Sequence, residues 1–357
     1  MEFPTPVGGT VLPSDFIPSV LFAVLYGALL PLVAFRLVDK RSRSIVLLST
    51  SIFAVERIVI YSLRAAQARS DSLRVSSGLI TYLQVSFAMG FITIANDQVN
   101  ILRCLLVNTT FSCDMYEQSP PSRDAPLNAR NHRKVDYKGF FGGWLRERFT
   151  GQPNDGDPDY PKRRFWFRRA QEIGSLLFIA AIVPSIVAHQ HFGQLISDQS
   201  SAASVFRLRY AGTTVALFFT LIIAGATMWA YMKLPRVRTK SVVVLLSVCT
   251  LVSIIAIYRL SVMYNTTNSL FSVGHNSLNS AGAKACFYVF HVVPEWLATL
   301  LLFSTNIRQV FGTGPFGDWR KADETEKERN KRLERQKKAA RKKEKAMLDE
   351  KAKVILE

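Results

Sequence analysis

Lysine and arginine are missing from Met1 to Asp15, where Glu2 and Asp15 carry the only charge. A cleaved secretory signal needs a basic n-region and a cleavage site, so the first apolar stretch is expected to act as an uncleaved signal anchor. Cysteine is scarce, with 4 in 357 residues, too few for a small disulfide-stapled scaffold. Cys104, Cys113 and Cys249 fall at or below mid-membrane on the basic side of the chain. Only Cys286 approaches the other face, so no extracellular disulfide is expected. Histidine is rarer than charge of either sign, at 5, and no paired His motif lies mid-helix. Zinc catalysis needs three protein ligands at one depth, whereas His189 and His191, His275 and His291 sit at different depths. No metal, no cofactor and no enzyme activity are therefore expected.

Charge itself is nearly absent from seven long stretches: 16–35, 45–63, 78–104, 173–192, 210–232, 241–258 and 285–307. A hydrocarbon core of roughly 30 Å needs about 20 helical residues. Runs this long and continuous are helical, not the ten-residue alternations of a barrel. The sequence thus predicts an all-α polytopic membrane protein, a seven-transmembrane-helix bundle. Of the 45 Lys and Arg, 37 fall on one side of it. Basic loops stay cytoplasmic, which places the N-terminus outside and the C-terminus inside. The expected parts are a short extracellular N-tail (1–15), the transmembrane domain (16–310) and a basic cytoplasmic tail (311–357). A long cytoplasmic loop (108–169) joins the third and fourth stretches.

The net charge of +18 then has a local cause. Basic residues beside membrane spans favour anionic inner-leaflet lipids by roughly 1 kcal/mol each, so nucleic acid is not needed to explain them. Phe140 to Phe149 interleaves aromatic and basic residues and suits a short interfacial helix. Lys162 to Arg169 (KRRFWFRR) reads as an anchor at the inner face. The tail beyond Asp318 is rich in Lys, Glu, Arg and Ala, favours helix, and lacks an apolar heptad. Gly312 to Gly317 matches GxGxxG but follows a membrane stretch and contains Pro315, so it is a turn. Asp155, Asp157 and Asp159 open like a calcium loop, yet Tyr160 and Trp166 stand where Gly and Glu are required. Asn265-Thr266-Thr267 is a glycosylation sequon in the loop expected outside.

Ionisable residues within a span are costly, so each is a functional candidate. Glu56, Arg57, Arg259, His291 and Glu295 share the outer half and are expected to line or brace a ligand-binding cavity. His291 and Glu295 are four apart and share one helix face. Contacts of Arg57 with Glu295, or of Glu56 with Arg259, would satisfy both sides. Pro294 and Pro184 can open the backbone beside them. A second group near the inner face, Asn96, Asp97, Asn100, Arg103 and Asn306, is expected to act as a polar switch.

Phe287-Tyr288-Val289-Phe290-His291-Val292-Val293-Pro294-Glu295-Trp296, followed by Phe311 to Gly314 and Gly317 to Arg320, resembles the last helix and exit of fungal seven-transmembrane family-C-like G-protein-coupled receptors. Ile257-Tyr258-Arg259 with the Tyr-Val-Phe segment is similar to the fungal lipid-translocating-exporter-like family. The first resemblance implies a plasma-membrane receptor that couples an unknown small or lipid ligand to a cytoplasmic signalling partner. The second implies a lipid or drug translocator. A retinal pigment is not expected, because the seventh stretch has no mid-membrane Lys for a Schiff base and Lys284 lies at its edge.

Overall fold

The computed structural model describes residues 3–39, 41–112, 157–190, 202–274 and 276–318, with seven separate positions between 323 and 341. Seven helices are long and apolar enough to cross a membrane: α1 (Pro13–Val38), α2 (Ile45–Arg69), α3 (Ser77–Asn108), α4 (Pro161–Gln190), α5 (Ala202–Lys233), α6 (Thr239–Val262) and α7 (Ala281–Ser304). The chain is an integral, multi-pass membrane protein.

The helices outrun the apolar runs that announce them. α2 continues through Arg64 and Gln67, α4 starts at Pro161, and α5 starts at Ala202 ahead of Arg207 and Arg209. Hydropathy reports the lipid-facing side, whereas a helix whose polar side chains turn inward keeps its hydrogen-bond ladder unbroken. Pro161 suits the first turn of α4, where its missing N–H has no partner to lose. Arg164 and Arg168, expected to anchor at headgroups, are buried inside that first part of α4. Phe165 and Trp166 beside them are exposed.

α3 is the hub, packed against α2, α4, α5, α6 and α7, while α7 closes the ring on α1. Of its 32 residues, 21 are buried. The opposite character appears on α1 and α5, whose Ile17, Leu21, Val24, Phe218, Leu221 and Ile222 lie on the surface. Large apolar side chains in such numbers on an outer face suit lipid, not water.

At the basic end, arginines close helix ends. Arg36 Nε donates to Phe303 O at 2.8 Å and its Nη2 to Ser304 O at 2.8 Å. Arg236 donates to the Thr109 and Phe111 carbonyls just past α3, and Arg238 to Gln309 O at 2.6 Å. The last carbonyls of a helix have no partner within it and carry partial negative charge, which a guanidinium satisfies.

At the other end, the mouth, the chain departs from a plain helical bundle. Phe3–Pro4 (β1) pairs antiparallel with Thr266–Thr267 (β2). Within the N-tail, Thr5, Val7, Thr10, Val11 and Asp15 are all buried. Gly8 and Gly9 turn this segment with φ of +81° and +66°, the left-handed region that glycine adopts at no steric cost. One compact unit covers Met1–Trp319 and a second Arg320–Glu357. In the second, the described residues at 327, 330, 331, 334, 338 and 341 are helical. The first unit runs past the boundary expected at 310, because Asp318 is paired inside it. Cys113, His191, His275 and the segment 140–149 lie outside the described residues.

Candidate functional site

Beneath the mouth, buried polar side chains from all seven helices form three connected clusters. The first centres on Asp15, at the start of α1. Its Oδ1 accepts from Arg64 Nη2 at 3.0 Å and from the Tyr288 hydroxyl at 2.8 Å, and its Oδ2 lies 2.9 Å from Lys284 Nζ. Lys284 also donates to the carbonyls of Gly8 and Thr10, and Arg64 to that of Gly8. Arg209 of α5 places both Nη atoms 3.1 Å from Thr5 O. The N-terminal segment therefore supplies backbone acceptors to cations from α2, α5 and α7. Gln84 completes its seat by bonding both the N–H and the carbonyl of Val7.

Deeper in the bundle, Arg57 of α2 grips Glu295 of α7 through Nε and Nη2, the latter at 3.2 Å. Nη1 donates to Ser86 Oγ of α3 at 2.6 Å and reaches Glu56 at 3.4 Å. The Tyr26 hydroxyl of α1 donates to Glu295 Oε1 at 3.3 Å. The guanidinium carbon stands 3.8 Å from the Phe53 ring centroid, so an aromatic face adds to its stabilisation. Gly90 makes this approach possible, since a Cβ there would run into Arg57 and Phe53.

Arg259 of α6 anchors the third cluster. Its Nη1 donates to Phe87 O at 3.1 Å and faces His291 Nε2 at 3.3 Å, while Nη2 faces His189 Nε2 at 3.5 Å. His189 Nδ1 donates to Ser185 O at 2.6 Å, which leaves Nε2 as the acceptor. A ring nitrogen facing a guanidinium can only accept, so both imidazoles meet Arg259 in their neutral form. His291 is thus held between Arg259 and, 3.8 Å from its Nδ1, Glu295.

α7 gathers all three clusters. Lys284, Tyr288, His291 and Glu295 follow one another at spacings of four, three and four, a single helix face. Tyr288–Val292 forms one π-helical turn, with the Val293 N–H bonded back to Tyr288 O. The widened turn precedes Pro294, whose ring would clash with, and whose missing N–H cannot bond, the carbonyl four residues back. π turns mark places where a helix has been re-registered, frequently at functional sites.

Of the two pairings expected for the outer carboxylates, Arg57 with Glu295 forms. Glu56 instead stays beside Arg57, its side chain 28 % exposed. Arg57, Arg259, His291 and Glu295 are at most 1 % exposed, so they touch one another and do not line open space.

The inner residues do not gather. Asp97 Oδ2 accepts from Thr50 N at 3.0 Å and Oγ1 at 2.7 Å, near the start of α2. Arg103 pairs with Asp318, which Arg168 shares through two 2.8 Å bonds. Asn306 caps the short helix Ile307–Val310 through Gln309 N, and Asn96 and Asn100 are half-buried. Outside the spans, burial and then the nearby Arg43 push Arg308 below the usual guanidinium range. Asn265 is 8 % exposed, and its Nδ2 donates to Val262 O at 3.0 Å. Among the described residues, no three His, Cys, Asp or Glu side chains are grouped to hold a metal ion.

Asp15, Arg64, Arg209 and Lys284 fall just outside the apolar stretches of the sequence, yet all four are buried in the bundle. A signal existed for one of them: Arg64 follows Arg57 by two helical turns and so shares its face. No family model, curated protein or solved structure matches the chain.

Proposed function

We propose that the chain is a receptor-like seven-helix protein of the plasma membrane, with the mouth outside and the basic end in the cytoplasm. Ligand arrives at the place its own N-terminal segment occupies, and the response leaves through α7. The observation that carries this reading is the π turn of α7, where Tyr288 bonds α1 and α2, His291 meets α6, and Glu295 grips α2. A helix fastened to three neighbours around a widened turn can change register there while its end remains tied through Arg36. Releasing the segment frees acceptors from Arg64, Lys284 and Arg209, which biases that turn.

The test uses the full chain in nanodiscs with a fluorophore at Gln309→Cys, on the exposed face just past α7. Removing residues 3–9 should shift its emission, and the same protein in liposomes should leave labelled phospholipid in its own leaflet. Transfer of that lipid by the protein alone would replace the receptor with a translocator.

A further inference from the structure

Among the described residues, five cations, Arg57, Arg64, Arg209, Arg259 and Lys284, are buried in the mouth half of the bundle with two buried carboxylates, Asp15 and Glu295. Asp15 serves Arg64 and Lys284; Glu295 serves Arg57. Among the described residues, no carboxylate lies within 4 Å of Arg259, and its hydrogen-bond partners are a carbonyl and two neutral imidazoles. A guanidinium taken out of water without counter-charge is costly, and imidazole contacts of 3.3 and 3.5 Å lie beyond the range of good hydrogen bonds.

Two buried atoms in the same cluster have no hydrogen-bond partner: Arg259 Nε and His291 Nδ1. Because His291 Nε2 faces the guanidinium, Nδ1 carries the ring proton, so both unmet atoms are donors. What the cluster lacks is an acceptor at hydrogen-bond distance, since Glu295 Oε2 stands 3.8 Å from His291 Nδ1, and what Arg259 lacks is a carboxylate of its own.

We propose that Arg259 and His291, with His189 beside them, form a binding site for an oxyanion, a carboxylate or phosphate group, between α3, α4, α6 and α7. The oxyanion takes up Arg259 at charge-assisted distance and displaces the weaker imidazole contacts. Its chemistry fits a free small anion or the phosphate of a lipid headgroup. The site uses other side chains than those that hold the N-terminal segment, so it goes beyond the receptor reading. It is tested by binding alone, so its failure is distinct from failure of α7 to move.

The experiment measures the thermal unfolding midpoint of the full chain in neutral phosphatidylcholine nanodiscs at constant ionic strength. One arm titrates inorganic phosphate, a second acetate, and a third replaces part of the lipid with phosphatidate and adds no anion. The expected result is a saturable rise in at least one arm. A response confined to phosphatidate identifies the headgroup as source; one in the first two identifies a free anion. Arg259→Gln should abolish the rise, read against that variant's own anion-free midpoint. His291→Phe keeps Arg259 and removes the second donor, so it should raise the half-saturating concentration about tenfold. No saturable rise in any arm, or equal rises in wild type and both variants, would overturn the site.

Discussion

Arg57 and Glu295, 238 positions apart, meet side-on in the middle of the bundle with both side chains fully buried. The pair joins α2 to α7, and Ser86 extends it to α3. A buried pair of this kind is weak evidence for net stability, because desolvating two ions offsets their attraction. It is strong evidence for specificity of packing. With Ser86 and Tyr26 completing its hydrogen bonds, the pair fixes the rotation of four helices at once.

Removing one partner is therefore predicted to cost more than removing both. Arg57→Met leaves Glu295 buried without its cation and should destabilise the chain by about 3–5 kcal/mol. Arg57→Met with Glu295→Leu should recover most of that loss. Thermal unfolding in detergent, set out as a double-substitution cycle, reads the difference. Additive losses would mean that the two side chains act independently.

Gly90 supplies a steric counterpart. A methyl group there meets Arg57 Nη2 and the Phe53 ring, whereas one at Gly27 of α1 meets nothing within 4 Å. Gly90→Ala should cost about 1–3 kcal/mol through overpacking. Gly27→Ala should gain roughly 0.5–1 kcal/mol from helix propensity. Unfolding midpoints that move in the same direction would contradict the packing drawn around Arg57.

The seven spans were legible because lipid imposes length and apolarity on every helix, and Glu56-Arg57 did not hide α2. The Arg57–Glu295 contact was legible from the need of one buried charge for another. The first cluster was not. Asp15, Arg64, Arg209 and Lys284 lie where apolar runs end, and a charge at that position reads equally as a loop or as an inward-facing turn. Only the fold of residues 5–12 over the mouth, which depends on two left-handed glycines and on contacts hundreds of positions away, distinguishes the two. The inner residues show the reverse error. Asn96, Asp97, Asn100 and Arg103 are close in sequence, yet helical rotation sends Asp97 to α2 and Arg103 to α4 and Asp318.

Asp318 accepts from Arg168 and Arg103 although it lies in the turn after α7. Asp318→Asn weakens three charge-assisted bonds at a carboxylate that is 14 % exposed, and should cost about 1–2 kcal/mol. Screening acts weakly on a pair so enclosed, so the loss should persist between low and high salt. Disappearance of the difference in high salt would reclassify the pair as a surface contact.

The segment over the mouth makes the last prediction. Gly8 packs its backbone on the Phe287 ring at a left-handed φ, so Gly8→Val both strains the turn and forces the ring aside. Its carbonyl would then withdraw from Arg64 and Lys284, and Ser19, fully buried below, would become reachable. A cysteine at Ser19 should react with a small water-soluble maleimide at least about tenfold faster in the Gly8→Val background, because local opening no longer has to break the seat of the segment. Deletion of residues 3–9 should give the larger increase, since it also removes Thr5 from Arg209 and Val7 from Gln84. Unchanged labelling in protein that still elutes as a folded species would mean that the segment rests on the bundle without closing it.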